Sequence, residues 1–290
     1  MIRARVVRFR GLLFMHFRHR LLVTASVAAL IVAPPLAASA GSLPAVSGPN
    51  GKIGVFTGSV GDDFTLGATG SLAIPLTQQW GAQVDGMVGS ADSASFYGIG
   101  GHLFWRDPAR GLFGLTASWV GWDAVDTVPV SFPDGGVMDI SGADVGKVGV
   151  EGEAYLGRIS LEGAASFQFG SDTGFAGRAT VAFYPTDDLR LDIGILHLAG
   201  TDAAFRGGAE WAPAGHSFSL FASGLARSSD NWSVVGGARV YFGSGQKSLI
   251  QRHREDDPEN LLPDDLYSII GDAYCPAGTE DWGTYCDGNA

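Results

Sequence analysis

The residues in this chain best able to do chemistry are charges placed at every second position of apolar, glycine-rich segments. Glu151 and Glu153 share one such segment, and Glu162 lies in the next. Arg178, then Arg190 with Asp192, then Arg206 with Glu210, and finally Arg239 follow in later segments. Asp85, His102, Arg106, Lys147 and Arg158 belong to the same series. Successive side chains of a β-strand point to opposite faces, so this spacing gathers the charges on one face. Two chemistries fit such a face. It is either an ion-pair network that props an enclosed space, or a constriction whose opposed charges select solutes as charged rings do in pores. The residues support both equally. Small residues on the same face, such as Gly67, Thr69, Gly98, Gly100 and Ser118, leave some room between the charges.

Nucleophilic and metal chemistry have no comparable pattern. His102 falls on the charged face, His216 begins a segment at a turn, and His197 has no Ser two residues away. No Ser, His and acid converge, so no catalytic residues are assigned. The run His253-Arg254-Glu255-Asp256-Asp257 reads as a solvated charge run rather than a metal site. The expectation is a protein that is not an enzyme and needs neither cofactor nor metal.

The elements that must carry these charges read as strands. In Gly111–Trp122, Phe113, Leu115, Ala117 and Trp119 alternate with Gly114, Thr116 and Ser118. An apolar face backed by a small or polar one describes a strand between lipid and lumen. About twelve such strands fit between residues 51 and 243, each near the 9–11 residues needed to cross a bilayer. They are expected near 51–60, 64–74, 79–90, 96–106, 111–123, 144–156, 158–169, 174–184, 188–199, 203–211, 216–227 and 231–242. The fold class is therefore all-β: a transmembrane, antiparallel, up-and-down β-barrel. Short turns near residues 76–79, 107–110, 156–157, 185–188 and 212–215 are assigned to the periplasmic side, and the other connections, including a long loop at 123–143, to the outside. Trp80, Trp105, Tyr155, Tyr184, Trp211, Phe218 and Tyr241 flank the short turns. Phe64, Tyr97, Trp119, Phe169, Phe175 and Trp232 lie near the opposite strand ends. Two such bands suit the headgroup level of a membrane. A soluble twelve-stranded sandwich leaves both the bands and the turn asymmetry unexplained.

The ends of the chain differ from this body. Arg3, Arg5, Arg8, Arg10, Arg18 and Arg20 precede an apolar run, Leu21 to Val32, followed by Pro34, Pro35 and the small residues Ala38-Ser39-Ala40. This order is that of a secretory signal peptide over residues 1–40. Its removal takes 6 of the 19 basic residues and none of the 30 acidic ones, which leaves a formal charge of −17. So acidic a chain repels phosphates and is not expected to bind nucleic acid. Residues 41–243 form the barrel, and 244–290 an acidic periplasmic tail, with 3 basic and 10 acidic residues. Pro258 and Pro263 lie at the front of a short helix expected over 261–270. Otherwise the tail is expected to be mostly disordered; the alternatives are a plug for the lumen or an arm for a periplasmic partner.

Val234-Val235-Gly236-Gly237-Ala238-Arg239-Val240-Tyr241-Phe242 resembles the terminal strand of bacterial outer-membrane β-barrel proteins, with its Gly, its alternating apolar residues and its final Phe. In those proteins the strand usually closes the chain, whereas here residues 243–290 follow. The resemblance implies residence in a Gram-negative outer membrane. It also implies contact with outer-membrane lipids and with the assembly machinery that reads the final strand. The expected function is a porin-like channel for small solutes. A non-conducting structural or scaffolding barrel, whose tail binds a periplasmic partner, is the alternative.

The two cysteines, Cys275 and Cys286, both lie in the tail, and export favours a disulfide between them. Pro276, Gly278 and Gly283 can turn the chain back between them. Closing that loop is expected to contribute roughly 2–3 kcal/mol on the loop-entropy model. Thiol labelling of the exported, folded protein without reductant should therefore fail, and two reactive thiols would rule the bridge out.

Overall fold

The computed structural model describes residues 43–61, 63–92, 94–131, 137–227, 232–243, 245–270, 280–281 and 286–287, with side chains left out at 124–141 and from 267 onward. The expected signal segment lies outside the described residues, as does Cys275 and with it the expected disulfide.

Twelve antiparallel strands close into a barrel. They are β1 (Asn50–Val60), β2 (Asp63–Pro75), β3 (Trp80–Ala91), β4 (Ala94–Asp107), β5 (Gly111–Ser131), β6 (Val137–Leu156), β7 (Ile159–Gly170), β8 (Gly174–Thr186), β9 (Leu189–His197), β10 (Ala204–Trp211), β11 (Phe218–Ala226) and β12 (Trp232–Phe242). Each strand pairs with its sequence neighbours. The seam runs from Gly51↔Phe242 to Val60↔Ser233. Because the strand number is even, the first and last strands begin and end at the same rim, called here the terminal rim; the other is the loop rim.

One expectation of the strand pattern is corrected. Residues 123–143 are not a long loop. After an irregularity between Asp123 and Val128, β5 and β6 pair again from Val128↔Ile140 to Ser131↔Val137. Both arms are rich in β-branched residues (Val125, Val128, Val130, Val137, Ile140), which favour extended pairing.

The outside of the wall is apolar. Ile193 is 71% exposed and Phe205 72%, and Ile53, Leu66, Val88, Ile99 and Leu115 are exposed beside them. No Asp, Glu, Lys or Arg occupies an outward position of β1–β4 or β7–β12. On β5 and β6 the outward acids among the described side chains are Asp123 and Asp144, both toward the loop rim. A water-facing sheet would not be built this way.

The aromatic bands need a second correction. Tyr155, Tyr184 and Tyr241 are buried inside the barrel rather than on the outer wall. The outward aromatics at that rim are instead Trp80, Phe113, Phe183, Trp211, Phe218 and Phe242. The three tyrosines share strand parity with the charged face, so alternation already assigns them inward.

Inside, the barrel has two layers. Toward the loop rim lies an apolar layer that includes Phe56, Met87, Phe96, Val120, Trp122 and Leu196. Below it lies the charged layer. Phe56 and Phe96 stack with ring centroids 6.2 Å apart. They lie flat on the wall because Gly67 and Gly89 have no side chain. A Cβ at Gly67 would sit 2.4 Å from the Phe56 ring, and one at Gly89 would sit 2.3 Å from the Phe96 ring.

The segment after β12 does not trail away as a disordered tail. Gly243 (φ 90°) and Gly245 (φ 70°) turn the chain in the left-handed region, where glycine is at little cost. Helix α1 (Leu249–Glu255) then lies across the terminal rim, and Ile250 N–H donates to Asp187 O at 3.0 Å. Residues 256–261 enter the lumen, and helix α2 (Leu262–Ile270) sets Leu262 and Leu266 into the apolar layer. Asn260 Oδ1 accepts from Leu262 N–H at 3.0 Å, capping the start of α2. The N-terminal stretch 43–49 crosses the same rim: Ser47 N–H donates to Glu255 O at 3.0 Å. Residues 280–281 and 286–287 form a further short pair of strands, β13 (Glu280–Asp281) and β14 (Cys286–Asp287).

The packing of Phe56 yields a test. Gly67→Val should destabilise the folded barrel by roughly 1–3 kcal/mol, because the ring has no room to retreat. Gly86→Ala is the control, since an added Cβ there meets nothing within 4 Å. The urea midpoint of the heat-resistant folded band reads both; equal midpoints would show that the ring contact does not constrain the wall.

Candidate functional site

Alternation places Glu151, Glu153, Glu162, Arg178, Arg190, Asp192, Arg206, Glu210 and Arg239 on the inner faces of β6–β10 and β12. Seven are fully buried, and Glu153 and Arg239 are partly so. All face one lumen, but they do not form one cluster.

Some of the wall's charges are neutralised by the wall itself. Arg190 reaches Glu162 at 2.9 Å and Asp192 at 2.8 Å. Arg239 pairs with Glu210, which also accepts from the Ser219 and Tyr241 hydroxyls. His102 is bracketed by two acids, with Nδ1 2.8 Å from Glu151 and Nε2 2.8 Å from Asp85. A neutral ring would leave one nitrogen lone pair against an anion. Glu153 accepts from the Tyr155 hydroxyl at 2.7 Å. The field expected between the glutamates and Arg178 with Arg190 is thus short-circuited at Glu162–Arg190.

Other wall cations find their carboxylates on the C-terminal segment. Lys52 pairs with Asp257, and Lys147 with Asp265. Arg178 reaches Glu259 at 2.6 Å and Asp264 at 3.2 Å. Arg206 reaches the same two at 3.1 and 3.0 Å, and its wall acid, Asp192, at 3.6 Å. Glu259 therefore sits between two guanidiniums, with Arg190 a further 3.7 Å away. Burial works to raise the Glu259 carboxyl. Arg206, Arg178 and Arg190 outweigh it and hold the group well below the usual carboxylate range. With 28% of its side chain still exposed toward the cavity, part of that effect is screened. A depressed carboxyl contributes its stability above its ordinary pKa and loses it only as pH falls through the lowered value, so mild acidification leaves this contact in place.

The remaining contacts of the segment use the inward tyrosines. Arg252 lies over the Tyr241 ring and Arg254 over that of Tyr155, with centroid distances of 4.7 and 4.9 Å. The Tyr184 hydroxyl is 3.0 Å from His253 Nδ1. Beside the segment, the largest cavity gives the centre of a water molecule about 80 Å³ to occupy. That is room for a few waters. Among the described residues, no group of three or more His, Cys, Asp and Glu is placed to hold a metal ion.

Sequence reasoning named the wall charges but not Asp257, Glu259, Asp264 and Asp265. The one signal for them was the tail's acidity set against inner-face arginines. It also missed the apolar inner layer, because Phe56, Phe96 and Val120 resemble outward residues until strand parity is fixed.

No family model matches the sequence, and no curated protein matches it. Similar solved structures include the KdgM porin, at 10% identity over 66% of this chain and 99% of that one, with a TM-score of 0.48. An outer membrane channel from Pseudomonas putida F1 is 12% identical over 71% of this chain and 100% of its own, with a TM-score of 0.48. Outer membrane phospholipase A from Escherichia coli is 12% identical over 70% and 98%, with a TM-score of 0.44. The likeness is one of barrel architecture.

The Arg206–Glu259 pair is open to a double-mutant cycle. Arg206→Gln and Glu259→Gln should each destabilise the protein, and the double variant should be less damaged than the sum of the two by about 0.5–3 kcal/mol. Equilibrium unfolding in urea measures it; strict additivity would show that the two side chains do not interact.

Proposed function

We propose that the chain is an integral outer-membrane protein, a porin-like channel for small solutes whose lumen is held closed by its own C-terminal segment. It acts by passage rather than by catalysis. The outer wall supports the membrane setting. Charge there costs about 2–4 kcal/mol at the bilayer midplane for Arg or Lys, and outward positions avoid it. The observation that carries the channel reading is the borrowed neutralisation of Lys52, Lys147, Arg178 and Arg206. A wall built only as a permanent solid core has no need to leave four cations for a separate segment to match. When the segment withdraws, those cations line the passage and favour anions.

The alternative, a non-conducting structural barrel, is supported by a different observation. Leu262 and Leu266 are completely buried in the apolar layer, so withdrawal must also expose apolar surface. Planar-bilayer recording separates the two. Wild type should be nearly silent. The full-length variant Glu259→Gln/Asp264→Asn/Asp265→Asn should conduct and prefer anions, and adding Arg178→Gln/Arg206→Gln should weaken that preference. A loosened variant that migrates as a folded, heat-modifiable barrel yet stays silent overturns the channel in favour of the structural reading. Recovery of wild type as a soluble periplasmic protein overturns both.

A further inference from the structure

The C-terminal segment has the chemistry of a ligand. Its carboxylates at Glu259, Asp264 and Asp265 occupy Arg178, Arg206 and Lys147, while Leu262 and Leu266 of the same stretch occupy the apolar layer. It is an anionic amphiphile made of protein, set into a lumen with matching halves. The halves adjoin without a polar spacer. On β6, Lys147 is the inward residue next to Val145, about 7 Å along the strand. Arg178 pairs in register with Leu196, which belongs to the apolar layer. A small cavity at this boundary is lined by Lys147 and Arg178 together with Leu196, Leu198 and Leu261.

We propose that the lumen is a binding site for a long-chain carboxylate, which the C-terminal segment occupies in competition with it. The head group lies between Arg178 and Arg206, whose guanidinium forks match a carboxylate, and the chain extends among Phe56, Phe96 and Val120. The two arginines already hold carboxylates in this structure, and the layer above them is closed to water by aromatic and aliphatic side chains. A short organic acid satisfies only the first half of the site. A neutral lipid satisfies only the second. The inference rests on the segment's being displaceable, as in the channel reading, and names what displaces it.

The test uses full-length protein in phospholipid discs and a hexadecanoate carrying a diazirine near its chain end. Two variants loosen the segment independently: Glu259→Gln/Asp264→Asn through its charges, and Leu262→Ala/Leu266→Ala through its apolar side. Heat-modifiable migration confirms that each is folded. Apparent affinity falls with the fraction of lumen that is open. Loosening the segment by about 1.4 kcal/mol should therefore raise labelling of the inward Phe96 and Val120 about tenfold over wild type. Unlabelled hexadecanoate should compete, and hexadecyltrimethylammonium and acetate should not. Adding Arg178→Gln/Arg206→Gln should abolish the gain. Label confined to the outward Ile99 and Leu115, a gain indifferent to the arginines, or equal competition by acetate overturns the proposal. Conductance of the same variants keeps the two readings apart. Variants that conduct but take no lumen label reject the carboxylate site and leave the channel standing; variants that label but stay silent do the reverse.

Discussion

A charge enclosed by a closed β-wall has to find its counter-charge inside that wall. The lipid side offers none, and a narrow lumen offers few waters to share the field. Most features of this interior follow from that requirement. Arg190 sits between Glu162 and Asp192, and His102 sits between Glu151 and Asp85. Where the wall runs short of acids, the chain supplies them from beyond its last strand. The tail's acidity, odd in a free appendage, is the complement of the wall's surplus.

Much of the architecture was legible in the residues because a barrel wall has to alternate. Phe113, Leu115, Ala117 and Trp119 announce their face on sight, and the twelve strands lie close to where their turns placed them. The β5–β6 hairpin was harder. Gly and Asp in 132–136 signal a turn, but nothing local says that the Val-rich arms on either side go on pairing with each other. The charged site was legible by position and not by partner. Alternation says that Arg206 points inward; it says nothing of Glu259, which follows it by 53 residues and lies in a stretch with no strand period.

The inward tyrosines show the same limit from another side. Tyr155, Tyr184 and Tyr241 stand at the rim where a membrane girdle is expected, yet parity turns them to the lumen. There their rings serve Arg252, Arg254 and His253 of the terminal segment. An aromatic residue near a strand end is thus not evidence of a lipid interface until its face is known. The glycines opposite Phe56 and Phe96 carry a related lesson: the missing side chains make room for the rings that α2 later meets.

The glycine turn after β12 fixes an order of events. Gly243 and Gly245 redirect the chain only once the last strand is in place, and α1 and α2 follow it. The lumen that α2 fills does not exist until β12 has found β1 along the seam. Every molecule therefore passes through a hollow stage between sealing and filling, with Lys52, Lys147, Arg178 and Arg206 still awaiting their acids. Closure of the wall and occupation of its interior are separate steps in the life of each copy.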